Sequence, residues 1–394
     1  MKYRRLGKTN LEVSILGFGC MRFPIRRGSG GTTEIMEPHA EIDEEKSAAM
    51  IHQAIEHGIN YFDTAYLYHN GKSEPFLGKT LGTRRGRVIV ATKLPTWLVQ
   101  SPDDFQRLLD EQLQRLETQY IDIYLLHGLD RGAWDRMKEM GVLSFLDRIQ
   151  ADRLSRFVGF SFHDDVRTFK EIMDAYDWAV CQIQYNYFDE HFQAGKEGLE
   201  YAASKGIGVV VMEPLRGGKL ARRVQGQIQA IWDSARQRRS PAAWALQWVW
   251  NHAQVATALS GMSSMEQLQE NIAVAGAAEA NTLTADELAI IGQVAEAYRK
   301  KLKVDCTTCG YCLPCPNGVK IPTNFCLYND AFVFDSGELA VKLYNDMLSP
   351  EQRASNCSEC GECEDRCPQK IQIMEELKKV HARLCGEKCV AQTP

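Results

Sequence analysis

Cysteine is nearly absent from the first three quarters of this sequence. Of the 13 cysteines, only Cys20 and Cys181 precede residue 306, and the other eleven crowd into the last ninety or so positions. There is also no apolar run long enough to cross a bilayer, and the N-terminus lacks the apolar stretch of a signal peptide. We therefore expect a cytoplasmic protein with no membrane partner, whose clustered cysteines bind metal instead of forming disulfides.

Several function classes lack their sequence signature. The net charge of −5 argues against a nucleic-acid partner, which would favour a basic face. Residues 17–19 carry two glycines, but Arg22 stands where a dinucleotide-binding G-x-G-x-x-G motif needs its third. Residues 159–163 lack the second glycine of a nucleophile elbow. A Rossmann domain and a serine hydrolase are therefore not expected.

The length of 394 residues predicts more than one domain. We expect a first domain over residues 1–283, a connecting helix over 284–303 and a cysteine-bearing domain over 304–394. Thr284 and Glu287 have the spacing of a capping box at the start of the connecting helix.

In the first domain, short apolar segments alternate regularly with segments of helical periodicity. This pattern predicts an α/β fold, a (β/α)8 TIM barrel, preceded by a small hairpin over residues 3–15. Segments such as 209–211 are continuously apolar, as expected of strands covered on both faces. The predicted barrel strands are 15–19, 60–62, 88–92, 121–126, 157–160, 180–184, 208–212 and 257–260.

Polar residues stand at the ends of three consecutive predicted strands. Asp63 ends the first, with Tyr68 five residues later, and Lys93 and His127 end the next two. Singly, each has an ordinary explanation, such as a helix cap for Asp63 or a packed aromatic ring for Tyr68. Together they are hard to explain by packing, because the C-terminal ends of barrel strands meet on the face that carries catalysis. We interpret the four as a candidate catalytic set.

With these motifs the chain resembles the aldo-keto reductases over roughly its first 280 residues. In that family Tyr68 would be the general acid for reducing a small-molecule carbonyl, or the base for oxidising an alcohol. Lys93 would favour the phenolate, Asp63 would hold Lys93, and His127 would bond to the carbonyl oxygen. The matching motifs are Leu6-Gly7-Lys8-Thr9, Gly17-Phe18-Gly19, Asp63-Thr64-Ala65-Tyr66 with Tyr68, Ala91-Thr92-Lys93 and Leu125-Leu126-His127.

The resemblance also implies a nicotinamide cofactor, NADP(H) or NAD(H). This chain departs from the family at Phe162, where an asparagine is usual, and at Glu213, where a tyrosine often stacks on the nicotinamide. Gly261 and Gln267 stand where a lysine and an arginine commonly hold the 2′-phosphate. These departures leave NADPH or NADH open, and FMN as an alternative. The implied cofactor residues are Met21, Ser161, Gln182, Glu213, Leu215, Ser263, Gln267 and Asn271.

Two cysteine runs define the last domain, each closing with Cys-Pro. Their tight spacing favours two [4Fe-4S] clusters, with zinc as the alternative. A helical stretch over 337–347 separates them, so a mainly α-helical domain is expected. The runs are Cys306, Cys309, Cys312 and Cys315, followed by Cys357, Cys360, Cys363 and Cys367.

This domain resembles a dicluster ferredoxin, although its first run has two residues rather than three before the fourth cysteine. The resemblance implies that the last cysteine of each run crosses to the other cluster. One cluster would then take Cys367 with the first three cysteines, and the other would take Cys315 with the second three. Cys326, Cys385 and Cys389 lie outside the pattern.

Two hypotheses follow. In the first, the chain is a reductase whose clusters transfer electrons, with a redox partner protein as a further expectation. In the second, it is a flavin-mediated electron-transfer protein, or a carrier or scaffold with structural clusters. The intact set of Asp63, Tyr68, Lys93 and His127 favours the first hypothesis. A hydride moves two electrons and a cluster moves one, and no motif shows whether a flavin bridges them or the clusters are structural. The segments 23–42 and 128–140 are predicted as loops beside the pocket, and their sequences do not identify the substrate. Trp134 either lines the pocket or has a packing role.

Overall fold

The structure is a computed structural model that describes residues 1–26, 41–222, 224–306, 311–367 and 369–386. The chain divides into two compact units. The first comprises residues 1–223 and 237–288, and the second comprises 224–236 and 289–394. Within the described ranges, no helix is both long enough and apolar enough to cross a membrane. The domain boundaries expected from the sequence stay predictions.

The first unit is a closed parallel barrel of eight strands, as predicted. A hairpin of β1 (Tyr3–Arg5) and β2 (Glu12–Ser14) precedes it, with Tyr3 opposite Ser14. The last strand pairs with the first, Ser260 opposite Phe18, and this pairing closes the barrel. The barrel strands are β3 (Leu16–Gly19), β4 (Tyr61–Asp63), β5 (Ile89–Leu94), β6 (Ile121–Leu129), β7 (Ser155–Phe162), β8 (Val180–Gln184), β9 (Gly208–Met212) and β10 (Val255–Ser260).

Helices follow the barrel strands, and several begin at a side-chain cap. Asp43, Asp165, Ser240 and Ser264 each accept the backbone N–H three residues further on, which satisfies one of the free donors of the first turn. The helices up to residue 277, of which α8 belongs to the second unit, are α1 (Glu44–Glu56), α2 (Ser73–Leu81), α3 (Asp103–Arg115), α4 (Arg131–Glu139), α5 (Val142–Ala151), α6 (Val166–Asp174), α7 (Gly195–Ser204), α8 (Gly226–Asp233), α9 (Pro241–Trp250) and α10 (Met265–Ala277).

The segment predicted as a loop over 128–140 contains helix α4. The side chain of Asp130 caps this helix by accepting the N–H of Ala133. The helix buries only Trp134 and Met137, a face too short to give a clear periodicity in the sequence. Trp134 is 2% exposed, with its ring 6.2 Å from that of Trp178, so it packs instead of lining a pocket.

The interior of the barrel is filled by side chains, and the hairpin contributes to the same cluster. Leu6 and Val13 of the hairpin region pack with Tyr61, Ile123 and Val210 of the barrel strands, each fully buried. Apolar residues therefore fill the core, and the polar groups described below lie at the strand ends.

The second unit is mainly helical, as predicted, and helix α13 covers the stretch expected over 337–347. Helix α11 begins at the predicted capping box, in which Thr284 N donates to Glu287 Oε2 and Glu287 N donates to Thr284 Oγ1. Tyr344 is fully buried at the centre of this unit, where its hydroxyl accepts the N–H of Ala354. The helices are α11 (Ala285–Arg299), α12 (Ile321–Val333), α13 (Gly337–Met347), α14 (Glu362–Asp365) and α15 (Ile373–Leu384).

Candidate active site and cysteine pocket

The four candidate catalytic residues lie at one end of the barrel. Asp63 is the last residue of β4, and Lys93 and His127 lie in the C-terminal parts of β5 and β6. Tyr68 lies in the loop between β4 and α2. Since the barrel strands are parallel, these positions share the C-terminal face, where barrel enzymes place their chemistry.

Lys93 is the centre of this group. Its side chain is 1% exposed and donates to Asp63 Oδ1 at 2.6 Å and to the carbonyl of Thr64 at 2.8 Å. It also lies 3.4 Å from the phenolic oxygen of Tyr68, with Nζ 4.9 Å from the centre of that ring. A buried ammonium needs such partners, because an unpaired buried charge is costly. The geometry couples the lysine directly to the phenol.

The first turn of α2 holds the strand end that carries Asp63 and Thr64. Ser73 Oγ donates to the carbonyl of Cys20, and it lies 2.9 Å from Thr64 Oγ1. The backbone N–H of Thr64 donates to Ala91 O on the neighbouring strand. These bonds orient the Thr64 carbonyl toward Lys93 without taking part in any chemistry.

A second buried network lies behind Lys93. Glu74 is fully buried, and its Oε1 accepts from Thr92 Oγ1 at 2.5 Å and from Gln112 Nε2 at 2.6 Å. The same Gln112 amide also donates to the carbonyl of Lys93 at 3.0 Å, and Tyr124 donates to Gln112 Oε1. The backbone that carries Lys93 is therefore fixed from behind by hydrogen bonds.

The ring of His127 lies between two aromatic side chains. Its centroid is 6.2 Å from that of Tyr68, in an edge-on arrangement at 81°, and 4.9 Å from that of Trp97. Nδ1 of His127 is buried without a hydrogen-bond partner in the described part of the chain. Trp97 is 47% exposed, so an aromatic surface borders the imidazole on its open side.

The environment sets the protonation of these groups. Burial raises the pKa of Tyr68, and the neighbouring Lys93 ammonium opposes that rise. Burial disfavours the charged form of Lys93, but Asp63 and Tyr68 outweigh it, so its pKa is raised. Burial, followed by the charge of Lys93, holds the pKa of His127 well below its usual range. At neutral pH the site therefore holds a protonated phenol, an ammonium and a neutral imidazole.

The predicted cofactor residues follow the same ring of strand ends. The hydroxyl of Ser161 accepts the N–H of Gly128 at 2.8 Å, and this hydrogen bond joins the ends of β6 and β7. Gln182 is 1% exposed, and its Oε1 has no partner in the described part. Asn271 is 4% exposed and donates from Nδ2 to Ser260 Oγ at 3.0 Å.

The other predicted cofactor residues lie in loops. Gln267 Oε1 accepts the N–H of Ser263 at 2.9 Å, so this amide oxygen caps the turn before α10. Glu213 has a left-handed backbone, with φ of +55°, and the carbonyl of Leu215 accepts the N–H of Leu220. Met21 packs against Ile25 in the segment after β3.

Five of the predicted ligand cysteines line one pocket of the described part of the second unit. Cys315 of the first run lies there with three cysteines of the second run, the set that the resemblance assigns to one cluster, and Cys312, which the resemblance assigns to the other, lines the pocket too. Prolines and the helix residues Met374 and Leu377 complete its wall. The pocket cysteines are Cys312, Cys315, Cys357, Cys360 and Cys363.

Two further cysteines of the runs belong to the helical core of the second unit. Cys367 is 7% exposed in that core, and Cys306 packs against it. Cys326 and Cys385 do not line the pocket, and Cys309 and Cys389 lie outside the described residues. Among the residues described, no three His, Cys, Asp or Glu side chains converge closely enough to hold one metal ion.

Reasoning from the sequence missed the supports of Lys93. The Thr64 carbonyl is a backbone group with no signature of its own, and Gln112 lies on α3, nineteen residues from the carbonyl it contacts. Trp97 could have been found, because an aromatic residue shortly after a strand-end lysine and Pro95 is well placed to border the site.

Comparisons with known proteins agree with this architecture. The Aldo/keto reductase family profile matches residues 16–296, and a 4Fe-4S dicluster domain profile matches residues 305–372. The chain is 28% identical to L-galactose dehydrogenase of Arabidopsis thaliana, over 76% of this chain and 96% of that protein. It is 27% identical to the uncharacterized oxidoreductase YqkF of Bacillus subtilis, over 73% of this chain and 94% of the relative.

A solved structure shares the barrel. The aldo-keto reductase AKR11C1 from Bacillus halodurans, in its holo form, superposes with a TM-score of 0.62 at 29% identity. The match covers 75% of this chain and 97% of that one. The chain therefore belongs to the aldo/keto reductase family of oxidoreductases. It also carries a C-terminal 4Fe-4S dicluster domain.

Proposed function

We propose that the protein reduces a small-molecule carbonyl, or oxidises the matching alcohol, with a nicotinamide cofactor. The observation that carries this proposal is the contact of Lys93 with Tyr68, with the ammonium held by Asp63 and by the Thr64 carbonyl. A carrier or scaffold has no use for a buried ammonium coupled to a phenol. A nicotinamide bound beside this group supplies the hydride.

The residues of the site divide the proton chemistry among them. Tyr68 holds the proton at its phenolic oxygen, because burial keeps the phenol protonated at neutral pH. Lys93 stabilises the phenolate left after the proton has moved to the substrate oxygen. The neutral imidazole of His127 orients the carbonyl by donating a hydrogen bond, and it adds no competing charge.

Several buried polar atoms fit a nicotinamide cofactor. Gln182 Oε1 is a buried acceptor without a partner in the described part, which suits the amide of a carboxamide group. Ser161 near the end of β7, and Asn271 of α10, which donates to Ser260 at the end of β10, present further polar atoms. No lysine or arginine occurs between residues 260 and 277, where the family commonly binds the 2′-phosphate of NADPH. Every assay is therefore run with both NADH and NADPH.

We further propose that the cysteine domain holds two [4Fe-4S] clusters. One would take Cys315, Cys357, Cys360 and Cys363, which share the pocket. The other would take Cys306, Cys309, Cys312 and Cys367. The cysteine spacing and the match to a 4Fe-4S dicluster domain profile support clusters over zinc. Such clusters carry single electrons, so a redox partner protein is part of this proposal.

The test is an anaerobic assay of NADH and NADPH oxidation with a panel of aldehydes, ketones and reducing sugars. Sugars are included because one relative is named for L-galactose. The matched control is Tyr68→Phe, which removes only the hydroxyl and should lower the rate by a factor on the order of 10² to 10⁴. Its cofactor affinity should stay within a few-fold. A Tyr68→Phe protein that turns over at the wild-type rate removes the phenol from the mechanism.

A second experiment separates electron-transferring clusters from structural ones. Oxidised protein is mixed anaerobically with NADH or NADPH in a stopped-flow instrument, and the visible absorbance of the clusters is followed. Bleaching on the timescale of turnover supports redox coupling, and the same spectra reveal any bound flavin. Clusters that stay oxidised during carbonyl reduction at full rate have a structural role.

A further inference from the structure

The residue after the candidate proton donor has an unusual backbone. His69 has φ of +52°, and Asn70 and Gly71 follow with φ of +55° and +82°. A non-glycine side chain at positive φ is uncommon and needs support from its surroundings. His69 is also only 3% exposed, although left-handed turns usually lie at the surface. The turn directly after Tyr68 is therefore held in place by contacts of a buried imidazole.

One hydrogen bond orients this imidazole. The backbone N–H of Phe23 donates to His69 Nε2 at 3.1 Å, a contact between residues 46 positions apart. An imidazole nitrogen that accepts is unprotonated, so the proton of the neutral ring lies on Nδ1. Within the part of the chain that the structure describes, Nδ1 has no partner. The contact with Phe23 is thus the polar bond that fixes the ring.

Packing and protonation both preserve this bond. The imidazole lies 5.6 Å from the ring of Phe23, which packs edge-on against Phe76 of α2 at 5.1 Å. Burial lowers the pKa of His69 to about 4, so the ring stays neutral and able to accept at physiological pH.

The bond ties the two loops of the candidate site together. Cys20 N donates to Asp63 O, and Cys20 O accepts from Ser73 Oγ, so residue 20 is joined to the loop that carries Tyr68. The bond between Phe23 and His69 provides the second attachment, three residues further on. Between the two attachments lies Met21, a candidate cofactor residue.

We propose that His69 is a positioning residue that sets the Tyr68 phenol against the cofactor-side segment 20–23. This proposal rests on the proposed function, since it concerns the same phenol. His69 itself does not touch the reacting atoms. Its acceptor nitrogen fixes the loop after β3, and its left-handed turn fixes the chain direction after the phenol.

The test compares three substitutions that separate the hydrogen bond from the backbone. In His69→Gln the amide oxygen is as many bonds from Cα as Nε2, so an acceptor is kept. His69→Met has the same length and shape but no comparable acceptor. His69→Asn tolerates positive φ well but is too short to reach Phe23. His69→Met and His69→Asn both lose the hydrogen bond from Phe23, but they differ in how well they tolerate the positive φ. His69→Asn therefore stays informative if His69→Met does not fold.

Three measurements are made on the full-length protein. Hydrogen–deuterium exchange of the peptide containing Phe23 reports the bond itself. Quenching of tryptophan fluorescence by NADH and by NADPH reports cofactor affinity. Reduction of 4-nitrobenzaldehyde gives kcat, KM and the alkaline limb of the pH–rate profile, which a purely structural role would not move.

We expect His69→Met and His69→Asn to exchange faster at Phe23 and to lose about tenfold in kcat through misplacement of the phenol. Their alkaline limb should move upward, because a phenol further from Lys93 has a higher pKa. His69→Gln should stay within about twofold of wild type in kcat. Equal kcat and equal exchange in the Gln and Met variants, or wild-type kcat in the Asn variant, would overturn the proposal.

If the proposed reaction is wrong, the three measurements give a different result from the one expected if only the role of His69 is wrong. A wild-type protein that reduces no carbonyl would contradict the proposed reaction and leave the exchange and quenching data to decide the role of His69. In that case, faster Phe23 exchange together with weaker NADH or NADPH quenching in the Met and Asn variants alone supports positioning. Unchanged values in both measurements reject it.

Discussion

The barrel and the C-terminal unit hold their functional groups in different ways. In the barrel, the Lys93 ammonium already has protein partners, namely Asp63, the Thr64 carbonyl and the Tyr68 hydroxyl. In the C-terminal unit, five cysteines line one pocket of the described part, and Cys360 is exposed. The first site is organised by the fold itself, whereas the second is shaped to receive a group that completes it.

The difference teaches where each unit obtains its stability. The barrel buries a continuous apolar interior and stabilises the buried ammonium of Lys93 with hydrogen bonds. The C-terminal unit has a core to which cysteines contribute directly, so ligation of the proposed clusters would be part of its folding energy. Barrel variants should therefore change the chemistry, and changes in the cysteine domain should change folding.

The largest expected effect is the loss of the second unit on removal of iron. The intact protein should contain about eight irons and eight acid-labile sulfides per chain, with little zinc. Treatment with EDTA and ferricyanide should make residues beyond 304 sensitive to protease, while the barrel stays resistant. Limited proteolysis with mass spectrometry checks this. About four irons, stoichiometric zinc, or an equally resistant iron-free domain would contradict the contrast between the two units.

The next largest effect is on catalysis in the barrel. Lys93→Met should lower kcat by a factor on the order of 10² and move the alkaline limb of the pH–rate profile upward, because the phenol loses its neighbouring charge. It should also destabilise the barrel by about 3–5 kcal/mol, since Asp63 is left buried and unpaired.

A double variant separates the two consequences of that change. Asp63→Asn combined with Lys93→Met removes both charges and should recover much of the lost stability without recovering activity. Thermal unfolding and steady-state kinetics on the same samples check this. An unchanged alkaline limb in Lys93→Met would mean that the lysine does not tune the phenol.

A smaller expected effect tests which cysteines are ligands of the proposed clusters. Cys360→Ser should lose about half of the iron, since Cys360 lines the shared pocket and serves one of two clusters. The matched control is Cys326→Ser on α12, which lies outside the pocket lining and should keep the full iron content. If iron is lost in Cys326→Ser and not in Cys360→Ser, Cys326 takes the place of Cys360 as the assigned ligand.

The smallest effect concerns the pH dependence of barrel stability. Burial lowers the pKa of His69 to about 4 and holds that of His127 well below its usual range. In the unfolded chain each should titrate near its ordinary value of about 6.5. Above a pH of about 6.5 both histidines are neutral in the folded and the unfolded state, so they do not change the free energy of unfolding. Below that pH the unfolded state binds protons that the folded state does not. Stability should therefore fall as the pH drops toward 4, by about 1.4 kcal/mol per pH unit and histidine.

Thermal unfolding of the barrel across this range measures that slope. His69→Gln should reduce it, because one buried titrating group is removed. The control is His57→Gln at the end of α1, where the side chain is exposed and the slope should stay unchanged. A slope that is equal in all three proteins would show that His69 does not limit the acid stability of the barrel.

Local patterns were enough to predict much of this protein. The alternation of apolar and helical segments predicted the barrel, because strands covered on both faces must be continuously apolar. The spacing of the cysteines predicted the dicluster domain, since thiolates two residues apart can turn toward one group. The candidate catalytic residues could be found for a similar reason, since Asp63, Lys93 and His127 lie at or near strand ends and Tyr68 follows Asp63 by five residues. Helix α4 could not, because Trp134 and Met137 alone give no clear period.

The partners of these residues were decided by the tertiary structure. Lys93 lies 30 residues from Asp63, and His69 lies 46 residues from the N–H that orients it. The carbonyl of Thr64 has no signature in the sequence at all. Sequence alone determined which residue types stand at strand ends and how the cysteines are spaced, since both are local properties. Closure of the barrel decided which groups meet, because hydrogen bonds between distant segments depend on how strands and helices pack.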